Sequence, residues 1–364
     1  IGAIAVGGLL FNILYWNFGF LRMGTSGLTS QAYGRKDKDA EIRVLVQAVS
    51  VGLFSALVML ILQYPIERLA FRLLDTSAEV EQYAVTYFRI CIWGAPAVLA
   101  QYSFTGWFIG MQNSRYPMYI AIVMNVINIV CSSCFVFLFG MKVEGVALGT
   151  VVAQYSGVMM AWGLWFYNYK ELRGRITFKG SLQLIAMRRF FAVNRDIFLR
   201  TLCLIGVTTF FTSTGARQGD VILAVNTLLM QLFTLFSYIM DGFAYAGEAL
   251  SGRYVGACNL VQLKRAVKAL FGWGIGLSLV FTLLYGIGGE NFLGLLTNDT
   301  IVIETAGHYF YWVLAIPLAG FAAFLWDGIL IGATATRFML WAMLVASGSF
   351  FVIYYCFSGA TNNH

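Results

Sequence analysis

Residues 106–115 read GWFIGMQNSR, and further along the chain residues 328–337 read GILIGATATR. Each segment closes a long apolar run with two glycines four apart, a short polar turn and an arginine. At the offset that carries Gly106 onto Gly328, Tyr87-Phe88 falls on Tyr309-Phe310, Leu28 and Gly34 on Leu250 and Gly256, and Arg43 on Arg265. These matches gather where apolar runs end, and the runs themselves align without a gap. The chain therefore reads as two copies of one unit, both running in the same direction. Parallel repeats of membrane helices are related by a pseudo-twofold axis along the membrane normal.

Beyond that pair of segments, the whole chain is short of surface. Of 364 residues, 59% are hydrophobic and 11% charged, against roughly 25% charged in soluble domains. The mean hydropathy of +0.75 points the same way. Lipid is the solvent that such a composition needs. A membrane span takes about 20 mostly apolar residues. Runs of that kind lie at 3–33, 42–63, 82–111, 117–139, 145–168, 197–215, 221–255, 266–287, 302–332 and 338–358. That makes ten spans. The segment 64–78 mixes Leu and Phe with Glu67, Arg68, Arg72 and Asp75, the pattern of a short helix lying on the outer interface.

The net charge of +7 is distributed by topology rather than by partner. With Ile1 outside, seventeen Lys and Arg collect at inner ends, and the outer ends hold Arg68, Arg72, Lys142 and Arg217. This positive-inside bias fixes the orientation and removes the need for a nucleic acid. The basic stretch 168–194 divides the chain into an N-terminal bundle, 1–167, and a C-terminal bundle, 195–364. Within the repeat, the spans 145–168 and 197–215 have no partners. Ten spans are then what remains of twelve, six per bundle, with a first and a last helix outside this sequence. The expected fold is all-α and membrane-embedded.

No catalytic or metal motif competes with this reading. Cys131 and Cys134 form a CxxC inside an apolar run, where small packing residues explain them, and His308 and His364 are the only imidazoles. An enzyme, a metal centre and an organic cofactor are all unexpected. The ionisable residues inside spans are the candidates instead, because each is costly in hydrocarbon without water or a partner. Asp241, Tyr245 and Glu248 share one helical face by their spacing. Asp327 and Arg200 lie at similar inner depth, and Arg22 is the counterpart in the first half. Asp241, Glu248 and Asp327 are candidates for proton coupling. Asp241 and Glu248 also read as static bridges to Arg200 or Arg22, and Asp327 as a structural residue in its turn. Gln231 lines the same cavity or bonds between helices, and Asn128 is an amide that must find a partner at mid-membrane.

GTSGLTSQAYGRKD (Gly24–Asp37), with its echo GEALSGRYVGA (Gly247–Ala257), resembles a helix-end signature of the MATE (multidrug and toxic compound extrusion) transporters. MNVINIV and EGVALGTVVAQ, within Tyr116–Gln154, look like that family's fifth and sixth helices. MDGFAYAGEALSG (Met240–Gly252) and WDGILIGATATR (Trp326–Arg337) resemble its DinF-type branch. The resemblance implies a monomeric exporter in the plasma membrane that takes small organic substrates, expected to be cationic, and exchanges them for H+ or Na+. It also implies an N-terminal cation site, to which Asn128 and Thr150 correspond, with Ser132 where relatives place an aspartate. A lipid-linked flippase of the same superfamily is the alternative, and two acids clustered in one lobe favour cationic cargo over it.

Overall fold

The computed structural model describes residues 2–73 and 78–361, and the described residues form helices joined by turns. The chain divides into two compact units, Ile1–Phe198 and Leu199–His364.

In the first unit the run expected at 3–33 is two helices, α1 (Gly2–Trp16) and α2 (Gly19–Arg35). They part at Asn17, whose Nδ2 donates to the Ile13 carbonyl at 2.7 Å. An amide bonded to its own backbone in this way competes with the helix ladder. The Asp37 carboxylate then caps α3 (Lys38–Ile61) by accepting from the Ala40 N–H. Helix α4 (Gln63–Leu73) occupies the segment expected on the outer interface, and 74–77, with Asp75, lie outside the described residues. Helix α5 (Ala78–Cys91) passes through a 3-10 turn at Ile92–Gly94 into α6 (Ala95–Gly110). Pro96 stands in the first turn of α6, where its missing N–H costs nothing. Helix α7 (Arg115–Ser133) ends in a π-turn, Cys134–Leu138, before α8 (Val143–Asn168).

The connection expected over 168–194 is largely helical: α9 (Lys170–Arg173), α10 (Phe178–Ser181) and the start of α11 (Leu184–Arg217). Arg188, Arg189, Asn194 and Arg195 interrupt the apolar run and conceal a stripe at helical spacing, Leu184, Met187, Phe191 and Phe198. The second unit continues through α12 (Asp220–Gly256), α13 (Leu260–Leu296), α14 (Thr300–Gly332) and α15 (Thr336–Thr361). Gly289, at φ 43°, kinks α13. Its core is Phe236 and Met240 of α12 with Phe281, Tyr285 and Leu325. The first unit packs around Ile42, Phe104, Trp107 and Phe108.

Among the described residues nine stretches are long and apolar enough to cross a membrane. They coincide with nine of the ten expected runs. The tenth, α8, has 26 residues, about 39 Å at 1.5 Å per residue, and so is long enough. Gln154 and its glycines dilute its hydropathy.

The repeat is present in backbone detail. Among the described residues, the four non-glycine residues with positive φ are Lys36 (58°), Gln112 (62°), Cys258 (52°) and Thr334 (52°). The offset of the repeat carries the first two onto the last two. The Asp37 cap of α3 recurs as the Asn259 cap of α13, which accepts from the Gln262 N–H. In each unit one pair of glycines sets a close helix crossing. A Cβ on Gly106 would overlap the Arg22 carbonyl, and one on Gly328 the Ala244 carbonyl, which is the same contact in the other copy. Gly110 and Gly332 stand likewise against the carbonyls of Ser26 and Glu248. Small residues of this kind let helix backbones touch in lipid, where packing rather than water drives association.

Candidate functional site

Helix α12 packs along α14 through that glycine crossing. The Ser251 hydroxyl tightens it by reaching the Gly247 and Ile329 carbonyls at 2.6 and 3.1 Å. With the crossing fixed, the acidic residues of both helices keep their positions. Asp241 lies 21 residues from the N-terminal end of α12, on the order of 30 Å along it. Asp241 and Tyr245 are half-buried, and Glu248 is 1% exposed. All three are engaged by neighbours.

The partner of Arg200 is defined. Its Nη2 lies 2.9 Å from Oδ2 of Asp327, with side-chain exposures of 15% and 20%. The bridges to Arg200 were expected from Asp241 or Glu248, and Asp327 on α14 holds this guanidinium of α11. Two charges this far out of water are tolerable only as a pair. Gln231, expected to line a cavity or to bond between helices, is exposed on α12.

The first unit carries a second, uncharged cluster on the packed pair α7 and α8. Asn128 Nδ2 donates to Thr150 Oγ1 at 3.3 Å, and Thr150 donates to the Val146 carbonyl at 3.0 Å. Ser132, one turn along α7, lies against Gly149, and its buried hydroxyl has no partner. The three positions matched to a cation site are therefore neighbours, made only of amide and hydroxyl groups. Such oxygens suit a hard cation in kind but bring no charge to it. No cluster of His, Cys, Asp and Glu able to hold a metal occurs among the described residues. Arg22 is half-buried in α2 and engaged by neighbours.

Two features escaped the sequence reading. Helix α2 is buried all round from Gly24 to Ala32, although it is made of Thr, Ser, Gly and Gln. Arg189 Nη2 donates to its Gln31 at 2.8 Å. The signal was available: a run of small polar residues without charge is the composition of a tightly packed membrane crossing. The other is a clasp of α9 and the turn after it on the start of α3. Lys38 pairs with Glu171, Arg175 Nη1 reaches Asp39 Oδ1 at 2.8 Å, and Leu172 is buried beneath. The ammonium of Lys38 holds the Glu171 carboxyl below its ordinary value of 4.5.

A family model described as MatE matches residues 1–134 and 197–356. DNA damage-inducible protein F of Escherichia coli is 36% identical over 356 residues, 96% of this chain and 76% of that protein. Protein DETOXIFICATION 45, chloroplastic, of Arabidopsis thaliana is 24% identical over 322 residues, and the chain spans 56% of its length. Among solved structures, a MATE crystal structure in the bent conformation superposes with a TM-score of 0.79 at 18% identity, covering 93% of this chain and 76% of that one. A MOP superfamily transporter from Pyrococcus furiosus gives 0.80 at 18% identity with the same coverage. At that identity the two structures speak for the fold.

Proposed function

Because the chain belongs to the MatE family, we propose that it exports small organic cations across a bacterial plasma membrane by alternating access, in exchange for H+ or Na+. The family is one of transporters and not of enzymes, and the chain is a multi-pass membrane protein. The observation that carries the finer reading is the set of acids on α12 and α14, where Asp241, Glu248 and Asp327 accompany Arg200. Acids retained at this depth are costly and suit a positively charged cargo or a proton. Arg200 is held by Asp327, and an ionised Asp241 would compete for it. Proton uptake by Asp241 then removes that competition, which is the change of charge a coupled step requires. Tyr245 lies one turn from Asp241 and offers a ring face to an organic cation. Gln231 and Arg22 are assigned to the substrate path, and Asn128 and Thr150 to a cation passing through the first unit.

The test is gradient-driven efflux from vesicles containing the full-length protein. Asp241→Asn keeps the shape but cannot titrate, so export driven by a pH gradient should cease while substrate binding persists. Export at the wild-type rate by that variant would reduce Asp241 to a structural bridge.

A further inference from the structure

A groove of about 670 Å³ opens in the first unit where α2 and α3 meet the beginning of α11. Its walls are mainly rings: Phe18 just before α2 and Phe20 within it, Phe54 from α3, and Phe190 and Phe198 from α11. The volume lies within the 300–1,000 Å³ typical of sites for small molecules, and the lining is almost wholly apolar. Two polar groups break it. Asn194 is 3% exposed, donates through Nδ2 to the Phe190 carbonyl at 2.8 Å and holds its buried Oδ1 against Gly24 of α2 rather than toward the groove. Arg195 is 62% exposed at the groove edge. Asp196 Oδ1 takes its Nε and Nη2 hydrogens at 3.2 and 2.9 Å, and the remaining N–H groups of the guanidinium stay available to an anion.

Depth supplies the rest. Helix α11 has 34 residues, about 51 Å, against about 30 Å of hydrocarbon. Counted inward from Arg217, the hydrocarbon ends roughly 20 residues along, close to Arg195. The cation thus sits at the level of the inner headgroups, with phenylalanines beside it. An organic cation is disfavoured by the guanidinium, whereas a lipid phosphate is attracted to it.

We propose that this groove is a binding site for an anionic phospholipid of the inner leaflet, with the phosphate against Arg195 and one acyl chain along the phenylalanines. The site is independent of the export reading and stands or falls separately from it.

The experiment uses the full chain in nanodiscs of phosphatidylcholine with a minor fraction of phosphatidylglycerol, released into the gas phase to weigh the retained lipid. Phosphatidylglycerol should be retained in preference to phosphatidylcholine. Arg195→Gln should lower that retention about tenfold, the loss of one charge-assisted hydrogen bond. Ser55→Phe, which fills the groove from α3, should abolish it, and Phe54→Ala covers the case in which the larger ring prevents folding. Arg337→Gln, another inner-end arginine, should change nothing. Equal retention of the two lipids, or equal loss with Arg337→Gln, overturns the proposal. So does displacement of phosphatidylglycerol by tetraphenylphosphonium, which would make the groove a cation site.

Discussion

Thr334 holds φ at 52° two residues past the end of α14, a left-handed position that glycine usually fills. A β-branched residue there costs roughly 1–2 kcal/mol in backbone strain. Thr334→Gly should therefore raise the unfolding free energy by about 1 kcal/mol in detergent, and an unchanged denaturation midpoint would show that its threonine contacts compensate. The Arg200–Asp327 pair makes the opposite kind of prediction. Asp327→Ala leaves a guanidinium alone in a largely buried place, at a cost of about 3 kcal/mol. The double variant Arg200→Met, Asp327→Leu should recover most of that loss, because neither charge remains to be solvated. If the double variant is as unstable as the single one, the pair holds the helices in some further way. Sequence spacing found both charges and their shared depth, but not that they touch, since a partner on another helix has no signature along the chain.

Elements fail or hold at their crossings. Valine at Gly106 would press its Cβ into the Arg22 carbonyl, and α6 would have to move away from α2. Gly106→Val should cost about 3 kcal/mol or prevent folding. Gly163→Ala on α8, where a Cβ meets nothing, should instead stabilise by about 0.5–1 kcal/mol. The clasp of α9 on α3 responds to acid. Lys38 depresses the Glu171 carboxyl, so its contribution is complete above the ordinary carboxylate value and disappears as pH falls through the lowered one. Hydrogen exchange over 170–176 should rise in that acid window, and Glu171→Gln should show fast exchange at every pH. The pair is exposed, so the change is local and the unfolding midpoint should barely move. The helix of 184–198 was hidden by its own charges. The spans were legible because hydrocarbon thickness sets their length. The break at Asn17 was not, because one amide bonding backward leaves the apolar run intact.

At the scale of the molecule the two units have kept one backbone and exchanged their chemistry. At the offset of the repeat, Asp241, Glu248 and Asp327 correspond to Gly19, Ser26 and Thr105, and Asn128 and Ser132 correspond to Phe350 and Tyr354. Acids occupy one copy, and amide and hydroxyl groups the other. If protons couple through the second unit, Thr150→Ala should preserve export driven by a pH gradient and weaken only a response to Na+. Loss of pH-driven export in Thr150→Ala would move the coupling to the first unit. The residue matches that disclosed the repeat were few, because side chains facing lipid or a neighbour drift freely, whereas turns do not. From Lys36 to Gln112 in one copy, and from Cys258 to Thr334 in the other, the count of residues is the same. A single insertion or deletion in either stretch would have put the turns out of step. Descent has thus rewritten the side chains of this stretch while leaving its length untouched, as though the bilayer had served as a gauge against which every lengthened or shortened copy was rejected.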